Sequence, residues 1–565
     1  MNNLLFIQPP LFYSSEHNSI YPSITILTNE LILKGANIEV ININDLFLSK
    51  VKEKFLKAIS NFNPDKLQDF EKQDCTINER MKNEINRFIC SFFCNYKNDI
   101  NKVNDELYLY KRYNITKLFN KLWSQYIEKL ITNYSNNKQI EEFENTHFYN
   151  LLNESMNKIV NLNKYQIIAF TVPLEENLFY TLLLCKMLRD KNFKGKVVIG
   201  GAYFSVINDK LLNEILKNST YDHLVKGCGV NTLKNLLNGN ELTHYIYEEE
   251  NIPFNNLLTK KTINMITNDK ERNKRFSIIH SKGCYWKKCA YCNYRKLYNK
   301  NKIIIRDINS VLSDIISLYN KGITSFYFIC EALDQKSANL ISNFIINNKI
   351  KCNWKCFLRC DNWKLSTLEL LKKSGGSDFV LGLETVNDRL LKLINKGTNK
   401  ETIKKLFDKI EILNLKVEVN IIPDLPSSTK KEIIETLEFI KKYKNYISRL
   451  NVSRFRVLNA SDIAENPEKF GIKLLPNYED KSNQIPFERI TGLKGGELDD
   501  LCNKFDKLSE SIYLPQLQSK TNNYNLKTTY SLKTDINLWN LNPYKKRTAK
   551  INYDFENNFL FLSED

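Results

Sequence analysis

Residues 284–294 read Cys-Tyr-Trp-Lys-Lys-Cys-Ala-Tyr-Cys-Asn-Tyr and hold three cysteines in a C-x4-C-x2-C spacing. Close thiolates of this kind are ligands for a metal that prefers soft donors. No fourth cysteine follows nearby. A [4Fe–4S] cluster on Cys284, Cys289 and Cys292 would therefore keep one iron without a protein ligand, open to a substrate. The competing reading is a structural zinc site, with His280 completing a Cys3His set.

Such thiols need a scaffold. The apolar run 276–280 reads as the strand that leads into them. From there strands at 325–329, 354–358, 379–383, 417–422 and 450–457 alternate with helices at 308–319, 338–346, 367–373, 388–394, 402–413 and 431–441. Alternation of this kind argues a parallel α/β sheet, and six such units make a partial barrel. Polar residues just past strand ends face the mouth of a barrel, where ligands bind. That rule selects Glu331, Arg359 and Glu384. Cys352, Cys356 and Cys360 recur at even spacing and so share one face of a strand. Together with Cys330 they read as buried thiols or, if that face is the lumen, as a hydrogen-atom donor or ligands to a second metal.

Upstream, a strand at 4–8, a helix at 24–33 and a strand at 38–43 form a β-α-β unit. Residues 47–164 carry apolar positions at the helical period and read as a helical insertion that includes Cys75, Cys90 and Cys94. The alternation resumes with strands at 167–171, 196–199 and 223–225, followed by Gly200-Gly201 and Gly227-Cys228-Gly229. Glycines past strand ends let backbone approach a ligand at the carboxyl edge of a parallel sheet. The expected fold class is α/β. Its parts are a split, doubly wound Rossmann-like domain (1–46 and 165–240), the insertion (47–164), a linker (241–275), a partial (β/α)6 barrel (276–475) and an extension (476–565) with a helix at 498–508 and a β element within 539–565.

Composition narrows the partners. The 82 basic and 64 acidic residues give a net charge of +18, but they are interleaved along the whole chain, so nucleic acid is not the expected partner. Apolar residues make up 42%, which places the chain among globular proteins. There are 13 cysteines, no basic-led apolar leader and no apolar run near the ~18 residues of a membrane span, so a reducing cytoplasm is expected.

The phrase Gly283-Cys284-Tyr285-Trp286-x-x-Cys289-Ala290-Tyr291-Cys292 resembles the cluster loop of radical S-adenosylmethionine (SAM) enzymes, in the subset with an N-terminal cobalamin-binding-type domain. Most members have three residues between the first two cysteines; here there are four. The segments IIAFTVP, KVVIGGAYF and DHLVKGCG resemble the second half of such cobalamin domains, without the Asp-x-His-x-x-Gly lower-ligand motif. Gly382-Leu383-Glu384-Thr385 resembles a G-L-E-S element. The resemblance implies a [4Fe–4S] cluster on the three cysteines, SAM on the open iron, and reductive cleavage to a 5′-deoxyadenosyl radical. It implies that Glu331 meets the methionine amino group, Glu384 the SAM ribose or amine, Arg359 the carboxylate, and the Tyr291 backbone the adenine. Asn420 and Pro423-Asp424-Leu425-Pro426 fall in the fifth-strand region that packs on adenine, with the family's glycines replaced. With cobalamin bound, the implied outcome is methyl transfer to carbon of a small-molecule or peptide substrate. Without cobalamin it is a rearrangement or cross-link. An electron donor such as flavodoxin or ferredoxin is implied. A zinc-stabilised nucleic-acid-binding protein stays open as the alternative of a different class.

Overall fold

The protein is described by a computed structural model covering residues 3–9, 21–43, 47, 147–157, 159, 161–173, 175–207, 209–249, 257–266, 275–294, 303–475, 484–518, 549–554 and 559–564. The chain divides into two compact units. One takes in residues 1–9, 15–42 and 161–514, and the other residues 10–14, 43–160 and 515–565. In the second unit the described elements are a helix, His147–Met156, and an antiparallel pair, Ala549–Asp554 with Phe559–Glu564. Most of the expected insertion, with Cys75, Cys90 and Cys94, lies outside the described residues.

The first unit holds two parallel sheets. Strands β1 (Asn3–Gln8), β2 (Asn37–Asn42), β3 (Ile167–Thr171), β4 (Lys196–Gly200), β5 (His223–Gly227) and β6 (Tyr245–Glu248) pair in the order β2-β1-β3-β4-β5-β6. Every pairing is parallel. This is a doubly wound sheet whose strand order reverses between β1 and β3. Continuous apolar runs explain the central strands: Leu4, Leu5, Phe6 and Ile7 in β1 and all of β3 are buried on both faces. The sixth strand falls in the stretch 241–275 read above as linker. Its sequence, Tyr-Ile-Tyr-Glu, is too short to show a period.

The second sheet contains β7 (Phe276–Ile279), β10 (Ser325–Ile329), β11 (Asn353–Arg359), β12 (Phe379–Glu384), β13 (Val417–Ile421) and β14 (Ile447–Val452). A two-strand ribbon, β8 (Ser281–Lys282) with β9 (Ile304–Ile305), interrupts it after β7. The order β7-β10-β11-β12-β13-β14 follows the chain, and all pairings are parallel. Consecutive right-handed crossovers in this order put the helices on one face of the sheet. The helix starts are written locally. Asp307, Asp334, Asn387, Asn399 and Thr429 each accept a backbone N–H three residues on, worth about 1 kcal/mol apiece. The long helix Gly495–Gln518 adds Leu498, Leu501, Cys502, Phe505 and Ile512 to the same core. The strand expected over 450–457 starts earlier and ends at Val452, because Asp424 draws the Phe455 N–H away at 2.7 Å.

The two faces of β11 follow from Trp354. Its indole donates to the Ser374 carbonyl and hydroxyl at 3.2 and 3.1 Å and stacks edge-on against Phe328 and Phe379, so it faces the helices. Side chains alternate along a strand. Cys356 and Cys360 therefore face the helices too, both buried, and the Cys356 thiol lies against Cys330. Of the two readings of this cysteine row, the structure supports the buried one: Cys330, Cys356 and Cys360 are thiols of the apolar core, and Cys352 is partly buried at its edge. Lys355, Phe357 and Arg359 occupy the inner face. There the Lys355 ammonium meets the Glu418 carboxylate at 2.9 Å, and Asn451 donates to Asn420 at 2.8 Å.

Candidate functional site

Three strand ends of the second sheet deliver the site. β7 and the β8 ribbon lead into the cysteine loop, β11 ends at Arg359, and β12 ends at Glu384. Cys284, Cys289 and Cys292 are free and half-buried. The Cys292 N–H donates to the Cys289 carbonyl at 3.2 Å, a tight turn that keeps those two together. Ala290 between them is pinned on both sides, donating to Ile394 at 2.9 Å and accepting from Ile463 at 3.1 Å. It sits in a small core with Leu390, Ile394, Leu425, Phe455 and Ile463.

The additional residue in the spacer has a physical consequence. Lys287 takes a left-handed backbone, φ +59. Just before it, Tyr285 and Trp286 lie near the Arg359 guanidinium, which is 5.9 and 5.0 Å from their ring centroids. Trp286 donates to the Asn395 carbonyl at 2.7 Å and covers Gly397. Tyr285 donates to Asp361 at 2.5 Å, and Asp361 also accepts from Arg359 Nε at 3.3 Å.

Arg359 joins the cysteines to the strand ends. Nη1 points at Cys289 Sγ, 3.9 Å away, and Nη2 donates to the Lys396 carbonyl. The Lys396 ammonium donates to Glu384 Oε1 at 2.8 Å and to the Tyr291 hydroxyl at 3.0 Å, and that hydroxyl donates to the same Glu384 oxygen at 3.0 Å. Burial opposes the charge on Lys396, but Glu384, Tyr291 and Cys289 more than reverse this and hold it well above the ordinary lysine range. Glu384 itself adopts φ +62 where the β12–β13 register shifts. A non-glycine residue held there costs on the order of 1–3 kcal/mol, and such strain clusters at functional sites.

The thiols are governed by burial. It pushes Cys289 up, against the nearby charges of Lys396 and Arg359. It pushes Cys292 up to about 12, with Cys289 and Cys284 adding to the rise. The three sulfurs thus feel one another, and each must shed a proton to a metal on binding. Zn–S bonds of about 2.3 Å in a tetrahedron would draw three thiolates to within about 3.8 Å of one another. Among the described residues no three His, Cys, Asp or Glu side chains form a single-ion set. A cubane asks for less convergence, because each cysteine holds a different iron. His280, the zinc alternative's fourth ligand, is buried with neither ring nitrogen hydrogen-bonded. Desolvation holds it neutral, its charged neighbour being Asp334.

The structure thus brings Tyr291, Arg359 and Glu384 together with Cys289. Glu331 lies within electrostatic reach of Tyr294. Asp424 is engaged structurally, accepting from Phe455 and Arg489. Sequence reasoning passed over Lys396. Its signal was the Asn395-Lys396-Gly397 turn, where Asn395 and Gly397 have φ +52 and +75.

Residues 278–440 match the model of the Radical SAM superfamily. That segment, from β7 to the helix after β13, is where the chain resembles the superfamily. Curated relatives resemble part of the chain. The heme chaperone HemW of Buchnera aphidicola is 25% identical over 183 residues, 29% of this chain and 46% of that protein. The ribosomal protein uS12 methylthiotransferase RimO of Campylobacter fetus is 23% identical over 212 residues, 35% of this chain and 48% of that protein. The chain spans about half the length of these curated relatives. Solved structures cover far more of the chain. The methyltransferase TsrM from Kitasatospora setae, solved with its tryptophan substrate and a SAM analog, superposes with a TM-score of 0.52 at 12% identity, over 85% of this chain and 79% of its own. The cobalamin-dependent SAM radical enzyme OxsB, solved with aqua-cobalamin and SAM, gives 0.53 at 11% identity, over 89% and 66%. At these identities the likeness establishes the fold alone, a doubly wound parallel sheet followed by a second six-stranded parallel sheet. No helix among the described residues is long and apolar enough to cross a membrane.

Proposed function

We propose that this radical SAM enzyme holds a [4Fe–4S] cluster on Cys284, Cys289 and Cys292 and SAM beside it, and that it methylates carbon of a small-molecule or peptide substrate with cobalamin on the first sheet. The observation that carries the reading is the convergence of the Arg359, Lys396, Tyr291 and Glu384 side chains on Cys289. The cluster, when bound, supplies one electron to the sulfonium, which parts into methionine and a 5′-deoxyadenosyl radical able to take a hydrogen atom from substrate. Cobalamin, when bound, supplies the methyl group.

The chain's own residues bind, orient and screen. Glu384 offers a carboxylate to the ribose or amine, and the strained strand end fixes its direction. Arg359, buried and stacked on Trp286, offers the methionine carboxylate a cation whose rotamers are already spent. Tyr291 holds the Glu384 oxygen in place. Trp286, stacked near Arg359, covers part of the cysteine loop, and exclusion of water there is what a radical reaction requires. The carboxyl edge of the first sheet, at its switch point, is where a doubly wound fold takes a large cofactor. A reduced flavodoxin or ferredoxin is the natural electron donor for such a site.

Anaerobic reconstitution tests this. The expected result is iron and sulfide in equal amounts, loss of methionine-forming SAM cleavage in each Cys→Ser variant, and a cobalamin absorbance that survives desalting. Equimolar zinc without sulfide would overturn the enzyme reading. An intact cluster with no cobalamin absorbance after desalting would remove the methyl transfer and favour a rearrangement or cross-link.

A further inference from the structure

Lys396 is a buried charge that the reading above leaves without its own task. Its ammonium is not a simple partner of one acid. It bridges Glu384 and the Tyr291 hydroxyl, one residue from Cys292. Its carbonyl is held by the same Arg359 that points at Cys289 Sγ. Its loop is clamped because Trp286, from the cysteine spacer, donates to Asn395 and covers Gly397. Both ends of the cysteine motif therefore grip this lysine and keep it from swinging out to water.

We propose that Lys396 sets the reduction potential of the cluster held by Cys284, Cys289 and Cys292, acting as a fixed cation that also masks the Glu384 carboxylate. The proposal rests on the [4Fe–4S] reading. Reduction adds a negative charge to the cluster, so a nearby cation favours the reduced form and a nearby anion opposes it. Burial leaves little water to screen either. Loss of the Lys396 charge would remove the favourable cation and expose Glu384 at once, and the two changes push the potential the same way. Lys396 is in this sense a positioning residue: it also holds Glu384 and Tyr291 in one arrangement.

The test uses the full chain reconstituted anaerobically with iron and sulfide, without SAM, as wild type, Lys396→Met, Lys396→Gln and Lys396→Arg. Iron and sulfide are assayed, and the midpoint is read by redox titration followed by electron paramagnetic resonance. All four should load alike. Met and Gln should lower the reduction equilibrium at least tenfold, which is about 59 mV for one electron, while Arg stays near wild type. Should the Met variant fail to fold, Gln keeps an N–H donor for Glu384 and Tyr291 and carries the same comparison. A fully loaded neutral variant with the wild-type midpoint overturns the proposal and leaves the cluster reading intact. An Arg variant shifted as far as Met also overturns it, because the charge is retained. Wild-type protein that takes up no iron and sulfide overturns both.

Discussion

Gly397→Ala is the change that most directly probes the clamp between the cysteine spacer and the lysine turn. A Cβ on Gly397 would lie 2.0, 2.2 and 2.5 Å from three ring atoms of Trp286. The ring cannot step aside cheaply, since it donates to Asn395 at 2.7 Å and stacks 5.0 Å from Arg359. Moving it forfeits a hydrogen bond worth about 1 kcal/mol and a cation–π contact worth about 0.5–1 kcal/mol. The φ of +75 adds roughly 1–2 kcal/mol for a residue with a Cβ. The expected loss is therefore about 2.5–4 kcal/mol, from the sum of these contributions. Gly322→Ala supplies the control. It shares the left-handed backbone, φ +84, but a Cβ there meets nothing within 4 Å, so only the strain of about 1–2 kcal/mol applies. Equilibrium urea unfolding gives both values, and iron content after reconstitution reports on the loop. If Gly397→Ala loses no more than Gly322→Ala and loads iron fully, the clamp has no energetic reality.

Other outcomes follow from the same geometry. His280→Gln should leave iron and sulfide content unchanged, whereas Cys284→Ser, Cys289→Ser and Cys292→Ser should each abolish most of it; a His280 variant that loses its metal would restore the Cys3His zinc reading. Lys355→Met should cost about 3–5 kcal/mol by stranding Glu418 on the inner face, and adding Glu418→Leu should recover most of that, measured by urea unfolding. Glu432 caps its own helix with Thr429 and takes two bonds from Arg389, at 2.6 and 2.7 Å. Burial raises its pKa, but these donors outweigh it and hold the carboxyl below its ordinary 4.5. Its contribution is therefore present above that value and is lost as pH falls through the lowered one. Glu432→Gln, which keeps the cap, should lose about 0.5–1 kcal/mol at pH 7, with the gap to wild type closing below about pH 4.

Much of the scaffold was legible because it is written in local chemistry. Asp307, Asp334, Asn387, Asn399 and Thr429 announce helix starts, and the apolar alternation between them fixes which strands run parallel. The cysteine triplet and the acid ending β12 were readable for the same reason: strand-end position predicts exposure at a barrel mouth. The orientation of Cys356 and Cys360 was not readable. Even spacing says that they share a face, and only the direction of Trp354 says which one. Lys396 was hidden by a different cause. It follows a helix rather than a strand, so the strand-end rule never reaches it, and a lysine on a chain this rich in lysine carries no compositional signal.

The spacer shows how a local irregularity can be a global device. Read as sequence, a fourth residue between Cys284 and Cys289 is a departure from the usual pattern. In the fold Lys287 is left-handed, and Tyr285 and Trp286 both lie near the Arg359 guanidinium. Trp286 then reaches the turn 395–397, and that turn presents Lys396 to Glu384 and Tyr291. The lengthened loop, the glycine beneath the indole and the buried lysine thus form a single mechanical unit. A change to any one of them should be felt at Cys289, through Arg359, before it is felt anywhere else in the sheet.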